Sequence, residues 1–167
     1  HHGRVGQRVP QAAELIERAY PPSPSRATGG LRLVMNIDGA SRGNPGPAGI
    51  GVMIRQEGGP LERELWKYIG EATNNVAEYE ALLLALGEAG KLKAAEVAIL
   101  SDSELLVRQV EGRYRVKHPR LAELHSRARD LMKAFSSFHI EHIGRERNRQ
   151  ADALANRAID EALAASG

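Results

Sequence analysis

The chain has 167 residues, of which 42% are hydrophobic, with 23 Lys and Arg against 21 Asp and Glu and no cysteine. This composition is typical of one domain with an ordinary core. The lack of cysteine excludes disulfide frameworks, thiolate zinc sites, iron–sulfur clusters and cysteine nucleophiles, and no apolar run approaches the roughly 20 residues that a membrane span needs. We therefore expect a cytoplasmic protein with no membrane partner, and we expect it to be a monomer.

The charged residues are unevenly distributed along the chain. Residues 51–104 carry five basic and ten acidic side chains, whereas residues 105–149 carry eleven basic and five acidic ones. A basic second half is compatible with a polyanionic partner such as nucleic acid, although basic helix faces are often merely solvated.

Residues 1–30 have the pattern of an N-terminal appendage. Gln11 to Tyr20 are compatible with a short helix, and the Pro- and Ser-rich residues 21–25 with a stiff linker that ends at two glycines. We expect the folded domain to occupy residues 31–167 and the appendage to be dispensable.

The domain begins with a pattern of strands. Residues 31–38 alternate between the two faces of a strand, residues 39–51 are rich in glycine and predict a turn, and shorter strands are expected at 52–55 and 61–69. Three strands joined by turns are most simply antiparallel.

Helices and strands then alternate. Thr73 is a candidate N-cap for a helix that ends near Gly87 to Gly90, a short strand covers 97–100, and helices are expected from Ser103, from Pro119 and over 148–163, with a strand at 138–143 between the last two. The order βββαβααβα predicts a mixed five-stranded α/β sheet flanked by helices, in which three antiparallel strands are followed by parallel ones.

Four carboxylates stand at element boundaries. Asp38 ends the first strand of the domain, Asp102 follows the fourth, and Glu78 and Asp152 lie in the first turns of two helices. Each position alone has an ordinary structural explanation, as a turn former or as a complement to the helix dipole. In one shared cleft, however, four acids would repel each other unless hard cations neutralised them. Oxygen ligands suit Mg²⁺ or Mn²⁺, and two such ions can catalyse phosphodiester hydrolysis.

These residues lie in four ordered segments that closely resemble the signatures of type 1 ribonuclease H. The segments are DGASRGNPGPAGIG at 38–51, TNNVAEYEAL at 73–82, SDS at 101–103 and NRQADALA at 148–155. The resemblance implies a ribonuclease H fold and an endonuclease that hydrolyses the RNA strand of RNA/DNA hybrids with two Mg²⁺ ions, for which Mn²⁺ can substitute.

The resemblance also implies roles for individual residues. Asp38, Glu78, Asp102 and Asp152 fall on the metal-binding acids of the family. The positions that contact the minor groove of the hybrid correspond to Gly39, Ser41, Gly43, Asn44, Asn74 and Asn75. Amide side chains and glycine backbones suit a wide, shallow groove that displays 2′-hydroxyl groups.

Two departures from the family pattern affect these expectations. The segment between the helices near 112 and 119 is too short for the basic protrusion of many bacterial members, so Arg113, Arg115 and Lys117 are candidates to contact the DNA strand instead. The sequence before the last acid resembles compact members with an arginine seven residues upstream. This favours Arg145 as an assisting catalytic residue and leaves His142 as a strand residue packed in part in the sheet.

Alternatives to an active hybrid nuclease are a catalytically silent hybrid-binding module and the ribonuclease H part of a larger fusion enzyme. The four intact acids speak against the silent module. Activity on double-stranded RNA stays open.

Overall fold

Six strands form one mixed sheet in the computed structural model, which describes residues 5–8 and 30–166. The strands are β1 Val5–Arg8, β2 Arg32–Ser41, β3 Gly46–Gln56, β4 Glu62–Ala72, β5 Glu96–Ser101 and β6 Ser137–His142. Their order across the sheet is β1-β4-β3-β2-β5-β6. The first four strands in this order pair antiparallel, and β2, β5 and β6 pair parallel.

Within residues 30–166, four α-helices flank the sheet. Thr73 and Ser103 cap the first two, because their side chains accept hydrogen bonds from the backbone N–H groups of Val76 and Leu106, both at 3.2 Å. Among the described residues, no helix has the length and apolar character required to cross a membrane. The helices are α1 Asn74–Lys91, α2 Glu104–Val110, α3 Pro119–Met132 and α4 Arg149–Ser166, and a 3₁₀ turn covers Arg145–Arg147.

The sheet separates two apolar layers. Alternate β2 and β3 residues, among them Met35, Ile37 and Val52, are fully buried in the main core with α1 and α3. On the opposite face α4 packs over β3 and β4, where Trp66, Leu154 and Ala158 form a smaller cluster. This arrangement confirms the mixed α/β sheet and its antiparallel and parallel parts.

The glycine-rich stretch is mostly strand, so the turn expected over 39–51 was wrong in extent. β2 continues to Ser41, β3 begins at Gly46, and only four residues connect them. Position 51 of β3 is a glycine because the backbone of α4 passes directly over it. A Cβ there would collide with the Ala151 carbonyl oxygen. The glycine is therefore needed for close packing, which composition alone does not distinguish from a turn.

The sheet has one more strand than expected. Val5–Arg8 pairs antiparallel with Glu64–Lys67 of β4, and Arg8 forms an ion pair with Glu64. Four residues that include a glycine give no apolar alternation, so the sequence pattern did not show this strand. The expected helix at 11–20 and the linker at 21–25 lie outside the described residues.

Candidate active site

One cleft of about 440 Å³ opens at the ends of the central strands and is lined by all four predicted acids. Asp38 lies near the end of β2, and Asp102 directly follows the adjacent strand β5. Glu78 projects from the first turns of α1, and Asp152 from the first turn of α4. The parallel pairing of β2 and β5 places their carboxyl ends side by side, as in other α/β sheets that bind ligands there.

Three of the acids form a tight cluster. Carboxylate oxygens of Asp38, Glu78 and Asp102 all lie within 4.8 Å of one another. Asp38 is 6% exposed and Glu78 is 9% exposed. Asp152 is exposed at the rim of the cleft, and its carboxyl group adds to the rise in the pKa of Asp38.

Burial and mutual repulsion make these acids hard to ionise together. Burial, with the charges of Glu78 and Asp102, raises the pKa of Asp38 to about 9. Burial and the Asp102 charge raise the pKa of Glu78 to about 8, against the lowering effect of the Gly39 N–H and of Arg145. Because Asp38 and Glu78 hold protons at neutral pH, the cluster favours bound positive charge, which a metal cation can supply in place of the protons. The all-oxygen donor set fits a hard divalent cation.

Gly39 positions Glu78. Its backbone N–H donates a hydrogen bond of 2.6 Å to Glu78 Oε1. A Cβ at position 39 would collide with the backbone of Ala77, so only glycine lets the first turn of α1 approach β2 this closely. The close approach brings Glu78 to Asp38.

Arg145 lies at the same cleft, and His142 does not. Arg145 lines the cleft from the 3₁₀ turn that precedes α4, and its charge stabilises ionised Glu78. His142 is exposed at the end of β6 and borders a separate depression together with Arg113 and Glu141. The expectation that His142 packs in the sheet was wrong, because the strand ends there and leaves its last side chain in solvent.

Asparagine side chains connect the β2–β3 turn to α1. The Ser41 N–H donates to Asn74 Oδ1 at 3.1 Å, and the Asn74 N–H donates to Asn44 Oδ1 at 3.0 Å. Ser41 and Asn74 line the acidic cleft, whereas Asn44 and Asn75 line a second cleft beside it. The turn that contains Gly43 thus links the two clefts and presents amide groups along one surface.

The predicted basic residues lie apart from the acids. Arg113, Arg115 and Lys117 are all exposed in the segment between α2 and α3, and none of them lines the acidic cleft. Arg113 is 3.8 Å from Glu111 in a solvent-exposed ion pair.

Two polar residues of the site, Arg149 and Asn148, were not predicted. Arg149 lines the acidic cleft from the start of α4. Asn148, which is 1% exposed, donates to Asp102 Oδ2 at 3.0 Å and to the Ile37 carbonyl oxygen at 2.8 Å. The only sequence signal for Asn148 was its place at the start of the NRQADALA segment, which contains Asp152.

Comparison with known proteins agrees with this geometry. A family model described as reverse transcriptase-like matches residues 36–158. A bifunctional protein of Mycobacterium tuberculosis is 46% identical over 133 residues, which are 79% of this chain but only 36% of that protein. The chain thus spans about a third of the length of this curated relative.

Other relatives match over most of their own length. A ribonuclease HI of Halobacterium salinarum is 41% identical over 80% of this chain and 67% of its own. The crystal structure of LC11-RNase H1 in complex with an RNA/DNA hybrid is 46% identical and superposes with a TM-score of 0.74, covering 78% of this chain and 99% of that one.

Proposed function

Because the chain belongs to the type 1 ribonuclease H family, in the compact form without the basic protrusion, we propose that it hydrolyses the RNA strand of RNA/DNA hybrids. The observation that carries this proposal is the gathering of Asp38, Glu78 and Asp102, whose oxygens lie within 4.8 Å of one another at an open cleft. A similar protein of known structure binds an RNA/DNA hybrid.

The proposed cofactor is Mg²⁺, bound as two ions, with Mn²⁺ as a substitute. Asp38, Glu78, Asp102 and Asp152 would hold the ions, since four carboxylates at one cleft supply hard oxygen ligands and the negative charge that two divalent cations balance. When bound, such ions supply Lewis-acid polarisation of the phosphodiester and a water of lowered pKa.

The residues of the chain have separate tasks in this proposal. Buried Asp38 and Glu78 fix the positions of negative charge, and the Gly39 N–H fixes Glu78. Arg145, at the rim, is free to place its permanently charged guanidinium on a phosphate oxygen that gains charge during cleavage.

Substrate selection would come from the neighbouring turn. Gly39, Ser41 and Asn74 border the acidic cleft, and the second cleft continues the surface past Asn44 and Asn75. Their amide and backbone groups suit 2′-hydroxyl groups and base edges in a shallow minor groove, which favours recognition of shape over sequence. Arg113, Arg115 and Lys117 would contact phosphates of the DNA strand.

The proposal extends to the larger enzyme, the oligomeric state and the cellular location of the domain. The 36% coverage of the bifunctional relative is compatible with a ribonuclease H domain that works as part of a larger enzyme. We expect the domain itself to act as a monomer, which size-exclusion chromatography with light scattering checks. The lack of cysteine supports a cytoplasmic location.

The decisive experiment uses labelled RNA/DNA hybrid, double-stranded RNA and DNA duplex, each with Mg²⁺, Mn²⁺ or excess chelator. We expect cleavage of the RNA strand of the hybrid only, dependent on the metal. Asp102→Asn serves as the matched inactive variant. Hybrid binding without cleavage in every metal would instead identify a silent binding module, and cleavage of double-stranded RNA at a similar rate would broaden the substrate class.

A further inference from the structure

A chain of polar side chains runs from the surface of β3 to the acidic cluster. Arg55 Nη2 donates to Asn36 Oδ1 at 3.2 Å, and Asn36 Nδ2 donates to Asn148 Oδ1 at 3.1 Å. Asn148 Nδ2 in turn donates to Asp102 Oδ2 at 3.0 Å. Asn36 is 8% exposed and Asn148 is 1% exposed, so both amides are sealed from solvent that could replace a missing partner.

The charged groups at the two ends of this hydrogen-bonded series, Arg55 and Asp102, allow only one direction of donation. A guanidinium has donors and no acceptor, and an ionised carboxylate has acceptors and no donor. If the Asn36 amide rotated by half a turn, its NH₂ group would face the Arg55 donors. If the Asn148 amide rotated, its oxygen would face both Asp102 Oδ2 and the Ile37 carbonyl oxygen, which lies 2.8 Å from Nδ2.

We propose that Arg55 and Asn36 are positioning residues for the reaction: through Asn148 they hold the carboxylate of Asp102 in the orientation that binds metal. Asn148 donates directly to Asp102, the proposed metal ligand. Arg55 and Asn36 determine whether the NH₂ group or the oxygen of the Asn148 amide faces that carboxylate. This inference rests on the proposed role of Asp102 as a metal ligand. Partners that orient metal ligands in this way change metal affinity or activity by about 10- to 100-fold when they are replaced.

The test compares Mn²⁺ binding by titration calorimetry across folded variants. Asn36→Asp keeps the acceptor for Arg55 but turns a carboxylate toward Asn148 Oδ1, and we expect the Mn²⁺ dissociation constant to rise about 10-fold or more. Added negative charge alone would strengthen cation binding, so weaker binding reports a disturbed orientation. Activity should need more metal, with turnover at saturating metal and the KM for hybrid changed much less.

Arg55→Met tests the remote end and covers the case that Asn36→Asp does not fold. Arg55 is exposed, so its replacement leaves the core intact. We expect about 3- to 10-fold weaker Mn²⁺ binding. Arg55→Lys, which keeps a donor without an acceptor, should restore it. Arg63→Met is the control, because it removes the same charge from the neighbouring strand β4. Arg63 pairs with Glu88 at 3.7 Å and not with Asn36.

The outcomes separate two failures. Equal Mn²⁺ binding by the wild type and Asp102→Asn would refute the metal site itself. If Asp102→Asn loses binding while Asn36→Asp and Arg55→Met bind like the wild type, the metal site stands and the positioning role of Arg55 and Asn36 is refuted. Equal weakening in Arg55→Met and Arg63→Met would also refute it.

Discussion

At the scale of single residues, the buried acids make the site electrostatically unfavourable when no cation is bound. The pKa of Asp38 is raised to about 9 by burial first and then by Glu78 and Asp102. The folded state therefore binds more protons than the unfolded chain between about pH 4 and pH 9. Stability against unfolding falls as pH rises through this window, which is the reverse of the usual behaviour of a salt-bridged carboxylate.

Asp38→Asn removes the ionisable group that causes this pH-dependent loss of stability. We expect the variant to lose hydrolysis of the hybrid, to be more stable at pH 7 by more than about 1 kcal/mol, and to show a flatter dependence of stability on pH without metal. Urea unfolding followed by circular dichroism at several pH values, with chelator present, measures this. Asp130→Asn, an exposed acid on α3, is the control. Full activity of Asp38→Asn would contradict the assignment of the site.

Arg145 and His142 are distinguished by where their side chains lie. Arg145 lines the acidic cleft, so Arg145→Ala should lower turnover by about 10- to 1000-fold with nearly unchanged hybrid affinity. His142 is exposed outside the cleft, so His142→Ala should leave turnover and stability close to those of the wild type.

Single-turnover kinetics over a pH series check both expectations. A histidine that took part would leave an inflection near its usual pKa of roughly 6.5, which an arginine cannot produce. Arg147→Ala, in the same 3₁₀ turn, controls for loss of positive charge. Loss of turnover in His142→Ala with an unaffected Arg145→Ala would reverse the two assignments.

At the scale of elements, the segment between α2 and α3 is short and carries the three basic residues that we propose to contact the DNA strand. Its backbone is held at Arg115, whose carbonyl oxygen accepts a hydrogen bond of 3.4 Å from Gln109 Nε2. Its basic side chains point into solvent, and Arg108 stacks on Tyr114 with 5.3 Å between the guanidinium carbon and the ring centroid. Such a segment can meet phosphates without changing the acidic cleft.

Replacement of Arg113, Arg115 and Lys117 by Ala should weaken hybrid binding. The slope of log affinity against log salt concentration should fall by about one for each phosphate that no longer has a basic partner. Turnover at saturating hybrid should change little. Fluorescence anisotropy at several salt concentrations measures the slope. The control variant replaces three exposed basic residues of α3 and its C-terminus, Arg127, Arg129 and Lys133. Identical slopes for the wild type and the first variant would indicate a solvated loop.

At the scale of the whole molecule, the sequence predicted what is encoded locally. Thr73 and Ser103 are N-caps that the sequence pattern predicts for their helices. The four acids stand beside turn or capping residues, so the elements that carry them, and the meeting of these acids at one edge of the sheet, followed from pattern and resemblance. The hydrogen bond between Asn36 and Asn148 joins residues 112 positions apart, and no local pattern indicates it. The Val5–Arg8 strand was missed for the same reason, since its partner β4 lies some 60 residues away in sequence.

That strand bears on how much of the chain the activity needs. β1 lies at the far edge of the sheet, separated from β2 and Asp38 by β4 and β3. We therefore propose that residues 31–167 suffice for hydrolysis. A chain that begins at Gly30 should keep its turnover. It should lose about 1 to 2 kcal/mol of unfolding free energy, because β1 covers Trp66 and pairs Arg8 with Glu64, both partners on β4 being 8% exposed.

The variant Gly6→Val of the 167-residue chain gives this prediction its internal control. Gly6 lies against the Trp66 indole, and a Cβ there would collide with the ring, so valine should displace β1 while the rest of the chain stays intact. Urea unfolding of the two variants should then give the same loss of stability, and the hybrid cleavage assay should give the activity of the wild type for both. Loss of turnover in the truncated chain alone would mean that residues 9–29 contribute to catalysis. Loss of turnover in both would mean that the edge strand does, and the proposed domain boundary would move to the start of β1.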